Sequence, residues 1–348
     1  MKNLFLVPTI LTIMLSISSS SLGQFNRRAI KKNNKRIATH RGRMPLAVGY
    51  SGIGISFNAL NYYGDLSPLP NKFSTDISFT KPGIGISFFH RYGPRYILMG
   101  QFMYGTLKGS DAESAKGSDG FWRKERNLSF RNHIKELSLT AVFDLFENQG
   151  TYISRVNWTP YVFIGVAAFI HNPQAQAPNL YLDGFTVNPK AGQWVDLQPL
   201  GTEGQHSSLK PGDVNYGIKP YALLQIAIPF GVGARFRINE VLDLWADIGF
   251  RYTSTDYLDD VSRNYVDLGV FGNNELAKSL SYRSNEISSP SYSYNGRDNI
   301  MYHTYNGGYG VEQQTANRGN RNNRDVYMVT SLKITYIVGA KFHRPKFR

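Results

Sequence analysis

In residues 224–238 every even-numbered position is apolar, reading Leu, Ile, Ile, Phe, Val, Ala, Phe, Ile. The odd positions hold Gln225, Ala227, Pro229, Gly231, Gly233, Arg235 and Arg237. A period of two sustained this long belongs to an extended strand, because a helix would spread both sets around its circumference. The same alternation recurs at 137–145, where Glu136, Ser138, Thr140 and Asp144 share the polar face, and at 242–252, against Asp243, Trp245, Asp247, Gly249 and Arg251. Weaker versions lie at 84–88, 96–104 and 326–336. Residues 46–57 change parity at Ser51-Gly52, which predicts a bulge. Residues 161–170 are apolar on both faces, which predicts a strand whose inner side packs tightly.

Eight strands follow, and their connections alternate in length. Residues 91–95, 147–156 and 239–241 are short links, whereas 61–82, 106–132, 172–220 and 254–325 are long. This alternation predicts an all-β fold, an eight-stranded antiparallel transmembrane β-barrel over residues 44–342 with short periplasmic turns and long outer loops. Both chain ends then face the periplasm. A secreted β-sandwich with a solvated outer face is the alternative. Against it, the polar face holds few lysines and glutamates but paired opposite charges and several glycines.

In the barrel, the charged face becomes the lumen: Glu136, Asp144, Arg235, Arg237, Asp243, Asp247, Arg251 and Lys333. Keeping Arg235 and Arg237 inward together with Asp243 and Asp247 requires an odd number of connecting residues. The simplest turn is Asn239-Glu240-Val241 with Ile238 opposite Leu242. Arg237 then faces Asp243, Arg235 lies diagonal to Asp243 and Asp247, and Arg251 completes the network. Eight strands enclose little more than their own side chains, so no pore is expected.

The first 23 residues read as a signal peptide: a positive start at Lys2, an apolar stretch at 4–17 and small residues before Gln24. That stretch is too short to span a bilayer as a helix, and nothing later in the chain is long enough. The absence of cysteine excludes disulfides, thiolate metal sites and a cysteine nucleophile. The formal net charge of +14 is concentrated at the two ends. Arg27, Arg28, Lys31, Lys32, Lys35 and Arg36, with Arg41 and Arg43, stand without an acid in the basic tail 24–43. Lys341, Arg344, Lys346 and Arg348 stand likewise at and within the C-terminal tail 343–348. Residues 44–340 retain a balance of only +1. Such tails either stay solvated or meet lipid phosphates, or, on the sharper reading, dock an acidic periplasmic partner.

Chemistry is sparse. The glycine pairs at 52/54, 83/85 and 231/233 lie inside strand patterns and complete no dinucleotide fingerprint. The seven histidines show no metal-ligand spacing. His133, His171 and Ser129 near the outer ends leave a lipid-modifying barrel enzyme as an alternative, and a surface-binding adhesin as another. No catalytic, metal or cofactor-binding residue is assigned, and no cofactor is expected. Residues 272–324, rich in Asn, Ser, Tyr, Gly and Arg, read as a long mobile loop.

Three stretches carry a family resemblance: Asn61-Tyr62-Tyr63-Gly64-Asp65-Leu66, Ile228-Pro229-Phe230-Gly231-Val232-Gly233, and the run from Tyr252 to Val261. Together they resemble the PorG-like outer-membrane barrels of the type IX secretion system of Bacteroidota, over most of residues 44–342. Thr-Asp-Tyr-Leu-Asp-Asp-Val at 255–261 is the most specific part. The resemblance implies a non-catalytic barrel that anchors a periplasmic ring of PorK-like lipoproteins and PorN-like proteins, serving protein secretion and gliding. It marks Tyr63, Gly64, Asp65, Asp256, Tyr257, Asp259 and Asp260 as motif positions. Their acids also suit strand-exit turns that accept backbone N–H groups, while their spacing lacks the calcium-loop signature.

Overall fold

A computed structural model describes residues 49–67, 79–114, 121–148, 152–305, 312, 315–322 and 324–338. The expected signal peptide and the two basic tails lie outside these residues. Eight long strands form the wall: β1 (Tyr50–Tyr63), β2 (Lys81–Arg91), β3 (Tyr96–Ser110), β4 (Ser129–Asp144), β5 (Trp158–Ile170), β8 (Leu224–Arg237), β9 (Leu242–Thr253) and β12 (Val326–Val338). Each pairs antiparallel with its chain neighbours, and β1 pairs with β12, so the sheet closes on itself. The fold is an eight-stranded antiparallel β-barrel. Short strands β6 (Pro173–Gln176) and β7 (Trp194–Asp196) extend the sheet beyond β4, and β10 (Tyr292–Asn295) pairs with β11 (Met301–Thr304). Among the described residues, three short helices, α1 (Asp111–Ser114), α2 (Phe121–Arg126) and α3 (Glu275–Ser281), lie in the long loops.

The pairing register fixes the barrel's geometry. Crossing the wall from Lys135 passes through Tyr104, Ile84, Phe57, Leu332, Ala246, Ala234 and Pro160. The path returns to β4 beside Leu145, ten residues further along. Such a shear tilts the strands by about 40°. Ten residue steps of β5, Pro160 to Ile170, then rise about 25 Å along the axis.

Outward side chains along this rise are apolar and bare: Val166 is 64% exposed and Ile226 67%. Exposed Tyr96, Trp158 and Tyr336 sit towards the short-turn end, and Tyr104 and Tyr252 towards the loop end. This is the band-and-girdle pattern of a barrel in a bilayer. Among the described residues no helix is long and apolar enough to cross a membrane.

The interior is packed. Phe89, Trp245, Tyr161 and Phe163 fill the short-turn half, and Met103, Phe130, Phe169 and Tyr327 fill the loop half. Between them remains a void of about 10 Å³ lined by Gln101, Ser138, Thr140 and Asp247 among others, scarcely room for one water. Inward glycines make room for the aromatic rings: a Cβ on Gly233 would meet the Tyr161 ring at 2.5 Å.

Two expectations need correction. β1 has no bulge: its ladders with β2 and β12 run unbroken through Ser51 and Gly52. The change of parity arises because Tyr50 points inward and meets Phe89 edge-on at 6.1 Å. Nor is the 272–324 stretch featureless. It contains α3, the β10–β11 hairpin and two tyrosines, Tyr282 and Tyr302, that pack with Tyr265 and Leu268 in a small core. Tyrosines that pack sideways leave no period for a sequence reading to detect.

Candidate functional site

Two polar assemblies stand out, one inside the wall and one across its mouth. In the lumen, Asp144 on β4 lies between two arginines, accepting from Arg91 on β2 and, at 2.7 Å, from Arg235 on β8. The Arg235 guanidinium also lies 4.9 Å from the Trp245 ring centre. Asp247 accepts from Lys333 Nζ and from the Tyr161 hydroxyl, both at 2.9 Å. Glu136 accepts from the Tyr327 hydroxyl at 2.6 Å and lies 3.4 Å from Arg251. Every one of these groups is buried.

The expected partners differ from those observed. Arg237 lies opposite Asp243 in register, as the three-residue turn requires. Its side chain instead stays at the rim, donating to the Asn239 and Arg155 carbonyls at 3.3 and 3.2 Å. Asp243 is taken by Arg155, from the β4–β5 turn, at 2.7 Å. The same Arg155 donates to the Asn239 and Glu240 carbonyls and so ties two short turns together. Arg235 reaches past β5 to Asp144 rather than along the wall to Asp243 or Asp247. In a narrow lumen, side chains two strands apart meet as readily as neighbours do. Arg91 and Arg155 went unassigned because they fall at the end of a strand pattern and in a turn, where periodicity carries no signal.

The second assembly gathers the motif residues. Leu258 and Val261, both buried, drop from the long β9–β12 loop onto Tyr62, Phe130 and Tyr327 and close the mouth of the lumen. Asn132 of β4 holds this stopper through the Leu258 carbonyl at 2.7 Å. The Tyr62 hydroxyl lies 2.7 Å from both Asp259 and Asp325. Asp325 accepts the Leu258 N–H, Asp259 the Val261 N–H and Asp65 the Asn320 N–H. The acids thus cap backbone donors, Asp259 and Asp325 within the β9–β12 loop and Asp65 across from the loop after β1.

Gly64 must lack a side chain, since a Cβ there would fall on the Tyr62 hydroxyl and the Asp325 carboxylate. Tyr63 is buried, its hydroxyl 3.8 Å from Met328 Sδ. Tyr257 stacks on Tyr221 at 4.7 Å, and the Tyr221 hydroxyl donates to Asp260 at 2.7 Å.

Two buried arginines lock the long loops around this stopper into a crown over the mouth of the barrel. Arg126 grips Asp111 with two bonds of 2.7 and 2.8 Å and donates to the Asp65 and Arg318 carbonyls. Arg318 donates to Glu203 and to the Asp260 and Ser281 carbonyls. The histidine–serine grouping does not assemble. His171 is buried beside Asn132 and the Ala222 carbonyl. His133 faces outward onto Thr106, and Ser129 accepts from Arg283. Among the described residues no group of three or more His, Asp or Glu is placed to hold a metal ion.

The stopper's acids make it sensitive to pH. Burial pushes the Asp256 carboxyl up to about 8 and that of Asp260 up to about 6, and also raises Asp65, Asp259 and Asp325. These groups hold protons in the folded crown at pH values where the unfolded chain has released them. Their stabilising contribution is full below about 4 and is lost as pH rises through about 6 and then 8. Hydrogen-exchange protection of the Leu258 and Val261 amides, corrected for intrinsic rates, should therefore fall between pH 5 and 9. Asp256→Asn should remove the upper part of that fall, whereas protection that is flat or rises with pH would contradict the assignment.

Residues 46–179, from just before β1 to just beyond β6, match the model of a family described as a domain of unknown function, DUF6089. No curated protein matches the sequence. Among solved structures, the chain is similar to Ail, the attachment invasion locus protein of Yersinia pestis, at 8% identity over 83% of this chain and 98% of that one, with a TM-score of 0.32. It is also similar to neisserial surface protein A, at 8% identity over 83% and 96%, with a TM-score of 0.31. For the outer membrane protein OprG of Pseudomonas aeruginosa the figures are 8%, 85% and 98%, and 0.34. Likenesses this distant carry no argument about what the chain binds.

Proposed function

We propose that this protein is an outer-membrane β-barrel that serves as a non-conducting anchor for periplasmic partners. One observation carries the membrane reading: all eight strands turn apolar side chains outward over a band about 25 Å tall, the height of a hydrocarbon layer for such barrels. A wall like this exposed to water would be an aggregation surface. A filled and stoppered lumen leaves no path for solutes, which favours a holding role over a transporting one. β1 begins and β12 ends at the short-turn end, the periplasmic side of such a barrel.

The finer reading follows the family resemblance. The acid-free basic tails dock a ring of PorK-like and PorN-like proteins of a type IX secretion and gliding machine, and electrostatic attraction is the recognising chemistry. Changing Arg27, Arg28, Lys31, Lys32, Lys35 and Arg36 to Gln should reduce co-purification of periplasmic partners several-fold. Barrel insertion, read as a heat-dependent shift in gel migration, should be unaffected. Rising salt should weaken the wild-type association, since exposed charges are screened over about 8 Å at physiological ionic strength. Unchanged partner recovery in the substituted chain would overturn the docking role, and absence of the heat-dependent shift in the wild type would overturn the barrel's residence in a membrane.

A further inference from the structure

We propose that the outward face of β3 and β4, just above the apolar band, binds the phosphate of a lipid headgroup in the outer leaflet. The inference rests on the membrane reading above. Among the outward positions of the eight wall strands there is no aspartate or glutamate, and the lysines and arginines are Lys108, Arg131 and Lys135 alone. All three lie on β3 and β4, at their loop ends. Lys108 is matched by Glu113 at 2.7 Å, whereas Arg131 and Lys135 form no ion pair among the described residues.

The two unmatched cations flank the His133 ring in a prepared arrangement. Arg131, His133 and Lys135 are successive outward residues of β4. The Arg131 guanidinium lies 4.0 Å from the Trp194 ring centre, and its Nε donates to Gln174 at 3.0 Å, which leaves both Nη groups without a partner among the described residues. His133 stacks on Tyr104 and has its Nδ1 3.1 Å from the Thr106 hydroxyl, so its Nε2 is the open nitrogen. Lys135 lies opposite Tyr104 and Ile170, and the next outward residue down β4 is Leu137, 63% exposed.

This placement selects the ligand. A phosphate seated on the arginine fork and the lysine would carry its acyl chains straight down over Leu137 and its neighbours. A soluble anion would gain the charge contacts but not the apolar wall beneath them. The outward residues at the loop ends of β5, β8, β9 and β12 are Ile170, Leu224, Tyr252 and Val326. The anion-binding sector is thus one side of the barrel only.

The test is native mass spectrometry of the full chain in detergent micelles, titrated with bisphosphorylated lipid A and, separately, with its fully dephosphorylated form. Wild type should prefer the phosphorylated lipid by about tenfold or more. Arg131→Gln with Lys135→Gln should abolish that preference, while the control pair Lys210→Gln with Lys219→Gln, exposed in a long loop, should retain it. Equal binding of the two lipids by the wild type, or equal loss in the control pair, would overturn the proposal. Competition by free pyrophosphate at the lipid's own concentration would also overturn it, marking a site for soluble phosphate. A wild-type chain that shows no heat-dependent shift in these micelles would defeat the membrane reading first, and this inference with it.

Discussion

Replacing Asp144 with alanine should destabilise the barrel by about 3–5 kcal/mol, the usual result of removing one partner of a buried ion pair. Asp144 is fully buried and is the shared counter-ion of Arg91 and Arg235. Without it two guanidinium groups remain in a lumen with space for scarcely one water. The double change Asp144→Ala with Arg235→Met should recover part of the loss. The remaining Arg91 would keep the Gly93 and Pro94 carbonyls at 3.1 and 2.9 Å. Urea unfolding in micelles, followed by the heat-dependent gel shift, measures both variants. A double variant no more stable than the single one would show that Arg235 is not held by Asp144.

Arg318→Met should undo the crown and leave the wall. Arg318 is 2% exposed and bonds three separated parts of the loops, at Glu203, Asp260 and Ser281. Its removal leaves the buried Glu203 and Asp260 carboxylates without their cation, at a cost of about 3 kcal/mol or more. Glu203 also accepts the Ser262 and Arg263 amides at 2.9 and 3.0 Å. Hydrogen exchange at those two amides should quicken by about a hundredfold, as follows from a loss of about 3 kcal/mol, while amides of β5 and β8 stay protected. Loss of protection in the strands as well would mean that crown and wall unfold as one unit.

The wall was legible in the sequence because alternation sustained as it is over residues 224–238 has one structural meaning. The strand count, the inward set Glu136, Asp144, Arg235, Asp247, Arg251 and Lys333, and the turn between β8 and β9 all follow from parity. Pairing among the lumen charges was not legible. Parity gives a residue's face, whereas the partner depends on shear, which couples Arg235 to Asp144 across β5. The crown was hidden for a different reason. Its order comes from buried arginines, tyrosine hydroxyls and capped amides, whose partners are up to 263 residues away, as with Tyr62 and Asp325. Composition alone made residues 272–324 resemble a loose loop. The motif at 255–261 was visible as a string of letters, but nothing in the letters said that Leu258 and Val261 face down into the barrel.

Tyr62 and Asp325 stand at the ends of β1 and β12, the first and last strands, whose pairing closes the wall. The hydrogen bond between them therefore spans the seam. Most of the crown is synthesised before β12 exists, yet the Asp325 carboxylate that bridges Tyr62 to the Leu258 N–H comes into place only when that last strand has zipped against the first. Assembly is thereby ordered in time: the cylinder must shut before its lid can latch, and a latched lid reports that the final strand has found its place.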